Sequence, residues 1–214
     1  MPRISHNLKA ESDLIGGMVF KVLLFIIILN FVACASTPDS TPTFSISDDQ
    51  YEDVIETYTD QTQKYDGPYN ILEVSATLLN SHVIEAQMLR QASVFHWDKT
   101  KYQTELESKQ NGAKTKTEFF VSFFTPDKKS GELTRTNTLW KTLLKINDIE
   151  YVGTPKKLSL LPVEIKNLYP RYNRWSNPYV ITFDVPMNQV EKSISELVLT
   201  GPVGTASLKF KSIK

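Results

Sequence analysis

The chain has 214 residues, of which 41% are hydrophobic, 11% aromatic and 22% charged, with 24 basic side chains balancing 24 acidic ones. That composition gives a globular chain with apolar mass for one core, and it excludes disordered and collagen-like chains. Zero formal charge removes the electrostatic footprint of a nucleic-acid binder, and a single cysteine excludes an internal disulfide framework or a Cys-rich zinc site.

Residues 22–33 form an apolar run, Val-Leu-Leu-Phe-Ile-Ile-Ile-Leu-Asn-Phe-Val-Ala, preceded by Lys21 and followed by Cys34. As helix this is roughly 18 Å long, whereas a bilayer core needs about 20 apolar residues. A basic residue, a short apolar region and a small residue before the cut describe a secretory signal peptide rather than a permanent span. The signal is assigned to residues 1–33; residues 1–17 are polar and Met18-Val19-Phe20-Lys21 makes a more compact start, so either translation begins at Met18 or residues 1–17 are an extended n-region removed with the rest.

The only cysteine stands at the end of that signal, in Phe31-Val32-Ala33-Cys34. The arrangement resembles the lipobox of bacterial lipoproteins processed by signal peptidase II, with Phe31 standing where Leu is usual. The resemblance covers about the first 35 residues. It implies a diacylglycerol thioether on Cys34, cleavage before it, and acylation (palmitate among the chains) of the new amine. Several acyl chains hold a protein much more firmly than one. In lipoproteins of this kind an Asp after the cysteine favours inner-membrane retention; here Ala35 follows, which implies the outer membrane, facing the periplasm or the cell surface.

From Ala35 to Ile46, eight of twelve residues are Ser, Thr or Pro, so residues 34–46 read as a lipidated cysteine and flexible tether. Residues 47–214 read as a single strand-rich domain, an α+β, antiparallel β-sandwich-like fold. Ser47 and Gln50 have capping-box spacing, and Tyr51, Val54, Ile55 and Tyr58 follow at helical intervals, predicting a short helix over about 48–60. Residues 70–79 predict a strand. Ile84, Met88, Ala92, Phe95, Tyr102 and Leu106 form a helical stripe that predicts one long helix over about 81–110, with Ser81 as N-cap and Asn111-Gly112 as stop; the missing apolar residue near 99 marks where it would break.

Beyond it, period-2 alternation dominates. Phe119, Val121 and Phe123 share one face of 117–124, with Phe120 and Phe124 opposite. Trp140, Leu144 and Ile146 alternate with lysines, and Asn147-Asp148 leads into 149–153 as a hairpin. Tyr179, Ile181, Phe183 and Val185 alternate again. Leu197 and Leu199, then a Gly201–Gly204 turn, then Ala206, Leu208 and Phe210 predict a closing hairpin.

The search for chemistry finds no catalytic residues, metal ligands or cofactor. His82 and His96 would lie about 21 Å apart on one helix and cannot share a metal. Asp48, Asp49, Glu52 and Asp53 suit a first helical turn better than a calcium loop. The lysines at 99, 101, 109, 114 and 116 are diluted by Glu105, Glu107 and Glu118, as on a solvated face. The segment 168–179, Leu-Tyr-Pro-Arg-Tyr-Asn-Arg-Trp-Ser-Asn-Pro-Tyr, concentrates the residue types enriched at binding hot spots: Tyr169, Arg171, Tyr172, Arg174 and Trp175. It is either a binding loop or a structural one, in which Trp175 and Tyr179 close the end of the sandwich beneath the arginines.

The expected function is therefore a membrane-anchored lipoprotein of the bacterial cell envelope with a non-enzymatic binding or structural role toward an envelope protein or glycan. Two alternatives stay open: an envelope hydrolase or modifying enzyme, and an accessory lipoprotein of a transport or secretion system.

Overall fold

Alternation of large apolar residues organises the domain around β3 (Thr117–Phe124), which runs through the middle of a five-stranded sheet. Phe119, Val121 and Phe123 point to one side into the main core, and Phe120 points to the other. The computed structural model describes residues 44–127 and 130–213, all within one compact unit. Cys34, the signal and most of the tether lie outside the described residues.

The first sheet has the order β1-β2-β3-β7-β6, all antiparallel, from β1 (Thr59–Asp66), β2 (Tyr69–Leu78), β3, β7 (Asn177–Phe183) and β6 (Thr154–Lys157). The second has the order β5-β4-β8-β9, from β5 (Ile149–Val152), β4 (Lys141–Ile146), β8 (Ser195–Gly201) and β9 (Gly204–Phe210). Their inner faces meet in one core that includes Leu72, Val74, Phe119, Leu144, Ile181, Leu197 and Phe210. The antiparallel α+β sandwich expected from the sequence is the fold.

The sheets also approach each other along both edges. The chain passes from β5 to β6 through Gly153, whose N–H donates to the Thr142 carbonyl (2.8 Å) while Thr142 Oγ1 donates to its carbonyl (2.9 Å). A Cβ at Gly153 would stand 2.7 Å from Ile181 and Phe183, so only glycine lets the strand cross this close to β7. At the opposite edge, Asp60 on β1 accepts from the Lys209 N–H of β9 at 2.8 Å. Asp60, Thr62 and Lys64 pair with Ala76, Val74 and Leu72 and so share the core side of β1, and Lys64 reaches Gly204. Inward charge on an edge strand discourages pairing with another chain.

Helices cover the outer face of the first sheet. α1 (Asp48–Thr57) starts at the Ser47–Gln50 capping box that its sequence predicts. The long helix expected over 81–110 is instead two, α2 (Ser81–Val94) and α3 (Lys99–Ala113). The physical reason is local. His96 takes a left-handed φ of 49°, and Asp98 caps α3 by accepting from the Lys101 N–H at 2.7 Å. Asn80, not Ser81, caps α2, and Asn111-Gly112 lies inside α3 rather than ending it. His82 stacks on Tyr58, with ring centroids 5.8 Å apart. The short helices α4 (Pro162–Leu168) and α5 (Met187–Glu191) complete the structure.

Several connections converge at one end of the sandwich. Phe123 pairs with Asn177, Glu73 with Phe124, and Lys157 with Tyr179, so the β1–β2 turn, the end of β3 and the starts of β7 and of the chain beyond β6 share that end. Trp140 and Tyr179 close it. The indole of Trp140 packs edge-on to Phe123 (4.9 Å, 81°) and donates to the Ser130 carbonyl at 2.5 Å. The Tyr179 hydroxyl donates to the Gly131 carbonyl (3.2 Å) and accepts from the Leu133 N–H (3.2 Å).

Candidate functional site

The aromatic segment 168–177 runs over the outer face of β3, and its residues divide between interior and surface. Pro162 occupies the first turn of α4, where a missing N–H costs nothing, and the Glu164 carboxylate accepts from the Leu161 N–H at 2.8 Å. Ile165 turns inward. Where α4 ends, the Tyr51 hydroxyl donates to the Leu168 carbonyl at 2.7 Å and so ties α1 to the segment.

Tyr169 and Tyr172 are buried against Phe120: Tyr169 lies flat on its ring with centroids 3.5 Å apart, and Tyr172 meets it edge-on at 6.4 Å. Burial pushes the Tyr169 hydroxyl up to about 12, with the Gln87 side chain pulling the other way. These two tyrosines are thus anchors of the helical layer, not contact residues.

Arg171, Arg174 and Trp175 remain outside. Arg171 pairs with Glu56 of α1 at 3.1 Å, and both side chains are about half exposed. The Arg174 guanidinium lies over the Trp175 indole, 5.1 Å from its centroid. Trp175 is 73% exposed, so it does not help close the end of the sandwich; Trp140 holds that place, beside Tyr179. The loop is nonetheless held: the Lys166 ammonium donates to the Pro170 and Tyr172 carbonyls, Asn173 Oδ1 accepts from the Trp175 N–H (3.0 Å), and Asn173 Nδ2 donates to Glu73 (3.4 Å).

Between α4 and this loop runs an open groove of about 690 Å³, with Pro162, Val163 and Pro170 as its apolar lining and Lys166, Arg171 and Arg174 as its cations. Among the described residues, no carboxylate and no histidine lines it. Such a groove can hold an anion by charge-assisted hydrogen bonds and stacking. Leu161 and Val163 project from the start of α4 at 64% and 72% exposure. Helix α4 is not among the elements expected from the sequence. Its signal was the run Leu160-Leu161-Pro162-Val163, an apolar stretch with proline at a helix start.

The other titratable groups are dispersed. Asp48 is paired with Arg90 at 2.9 Å, and Arg90 also reaches Asn167 of α4. Lys101 lies over Trp97, and the Lys114 ammonium donates to Asn111. Among the described residues, no three His, Cys, Asp or Glu side chains come together as a metal site would require. No helix among them is long and apolar enough to cross a membrane.

No known protein family matches this chain, and a search of curated proteins finds no match to it either.

Proposed function

We propose that the protein is a lipid-anchored component of the bacterial cell envelope, held at a membrane through Cys34, with a non-enzymatic binding role exercised by its sandwich domain. The observation that carries the reading is the position of the sole cysteine: at the end of a short basic-then-apolar export signal and at the start of a Ser/Thr/Pro-rich tether. Phe44, which stacks on Tyr102 at 4.3 Å, is a packed side chain only ten positions after Cys34. Ten residues span at most about 35 Å whatever their conformation, so an anchored domain works close to the headgroups.

Ala35 rather than Asp after the cysteine supports the outer membrane, with the domain facing the periplasm or the cell surface. The binding part of the reading is supported by the groove beside α4, whose two arginines stand on a loop fixed by buried tyrosines. A rigid, exposed, arginine- and tryptophan-bearing rim binds with little ordering cost. Its partner is an envelope component, whether protein, glycan or lipid.

The test is expression of the wild-type chain and a Cys34→Ser variant in a bacterium fed labelled palmitate. The wild type is expected to incorporate label and partition into detergent. The variant is expected to stay unlabelled and to accumulate as a longer precursor. A Cys34→Ser protein that migrates and partitions like the wild type would refute the anchor.

A further inference from the structure

We infer that the groove beside α4 and its rim are a docking surface for the anionic headgroup layer of a lipid bilayer. The inference rests on the anchored reading above and names the partner of that same surface.

Charge is the first argument. The chain as a whole is neutral, yet the groove concentrates Lys166, Arg171 and Arg174, and no carboxylate among the described residues lines it. The Lys166 ammonium donates to the Pro170 and Tyr172 carbonyls and Arg171 shares a surface ion pair with Glu56, both adding positive potential. The Arg174 guanidinium rests on an indole face, an arrangement that leaves its N–H edges free to meet phosphate oxygens. Basic side chains next to an anionic leaflet are attracted within about a Debye length of it.

Apolar exposure is the second. Leu161, Val163 and Trp175 project beside those cations, each more than 60% exposed. A polar glycan gives projecting leucine and valine side chains no apolar surface to bury against. At a bilayer the combination is matched: aliphatic tips enter the headgroup–acyl boundary, indole sits at the interface, and guanidinium meets phosphate. Rigidity is the third. Tyr169 and Tyr172, buried under the loop against Phe120, hold these groups in place before any contact is made.

The test uses the protein purified from bacterial membranes and reconstituted through its own anchor into phosphatidylcholine vesicles, with or without phosphatidylglycerol. Flotation with neutral vesicles reports the anchor alone. Brominated lipids then report docking by quenching Trp175, with a Trp175→Phe variant giving the background from Trp97 and Trp140. Quenching several-fold stronger in the anionic vesicles, and lost at high salt, is expected. The Arg171→Ala/Arg174→Ala pair is expected to lower the docking equilibrium by about 30-fold. Arg174→Glu, which leaves the Arg171–Glu56 pair in place, is expected to lower it without loss of the fold.

Protein that floats but shows equal or no quenching in the two vesicle types would overturn the inference while leaving the anchor standing. So would a Trp175 that ignores lipid but shifts its emission with an acidic peptide or an anionic polysaccharide. Protein that fails to float on neutral vesicles would instead count against the anchor.

Discussion

The ring of Phe120 lies parallel to that of Tyr169, with centroids 3.5 Å apart and planes 4° from coplanar. Phe120 is the outward-facing residue of a strand whose neighbours Phe119 and Val121 fill the sandwich core, and Tyr169 is the first residue after α4. This stack therefore joins the helical layer, and the cationic loop it carries, to the middle of the first sheet. Removing either ring opens a cavity, so Phe120→Ala and Tyr169→Ala should each cost about 3–5 kcal/mol. Trp175→Ala should cost less than about 0.5 kcal/mol, because its ring contributes no core packing. Urea midpoints of the three variants check the contrast; a Trp175→Ala protein destabilised as much as Phe120→Ala would place the indole inside.

The end of the sandwich gives a second test. Gly201 closes β8 directly against the Trp140 indole, and a Cβ there would stand 2.4 Å from the ring. The ring is held by its hydrogen bond to Ser130 and by Phe123, so it has little freedom to retreat. Gly201→Ala is expected to destabilise by about 1–3 kcal/mol through overpacking. A thermal or urea midpoint equal to the wild type would show that Trp140 moves aside freely.

Alkaline pH gives the third. Burial raises the hydroxyls of Tyr169 and Tyr179 to about 12, against an ordinary value of 10.0, and raises that of Tyr51 as well. For Tyr179 the Leu133 N–H donation opposes the shift without cancelling it. The folded state holds these phenols neutral, whereas the unfolded chain ionises near pH 10. Their stabilising contribution is therefore complete below that pH and is lost as pH rises toward 12, since the native state then binds more protons than the unfolded one. The urea midpoint should stay level up to about pH 10 and fall steeply above it. A level midpoint through that whole range would contradict the burial of the three hydroxyls.

Legibility in the sequence tracks burial. Phe119, Val121 and Phe123, then Tyr179, Ile181 and Phe183, then the hairpin from Leu197 to Phe210 all alternate because one face of each strand meets the core. β1 escapes notice because it is an edge strand of sequence Thr-Asp-Gln-Thr-Gln-Lys-Tyr-Asp, whose inward positions are Asp60, Thr62 and Lys64. β6 has four residues, one of them Pro155, and α5 has five; neither is long enough to show a period. The α2–α3 break turns on Asp98 and a left-handed His96, beside the gap near 99 in the apolar stripe that marks it in the sequence.

The candidate site was legible in composition but not in orientation. Tyr, Arg and Trp in 168–179 mark a segment rich in contacts, yet nothing in the order of residues tells which rings turn inward. Phe120 decides it: its outward position on β3 offers a flat apolar surface that Tyr169 and Tyr172 cover, leaving Trp175 to the solvent. The α4 side of the groove depends on a seven-residue helix stabilised by Pro162, Glu164 and the contact of Ile165 with the layer below.

Cys34 carries the proposed function, and the mass of the mature N-terminus tests it most directly. The protein extracted from bacterial membranes is expected to begin at Cys34, with residues 1–33 removed and the cysteine carrying a diacylglycerol thioether and an acylated amine. A mature protein that begins elsewhere, or one that keeps residues 22–33 with an unmodified Cys34 thiol, would contradict the lipid anchor.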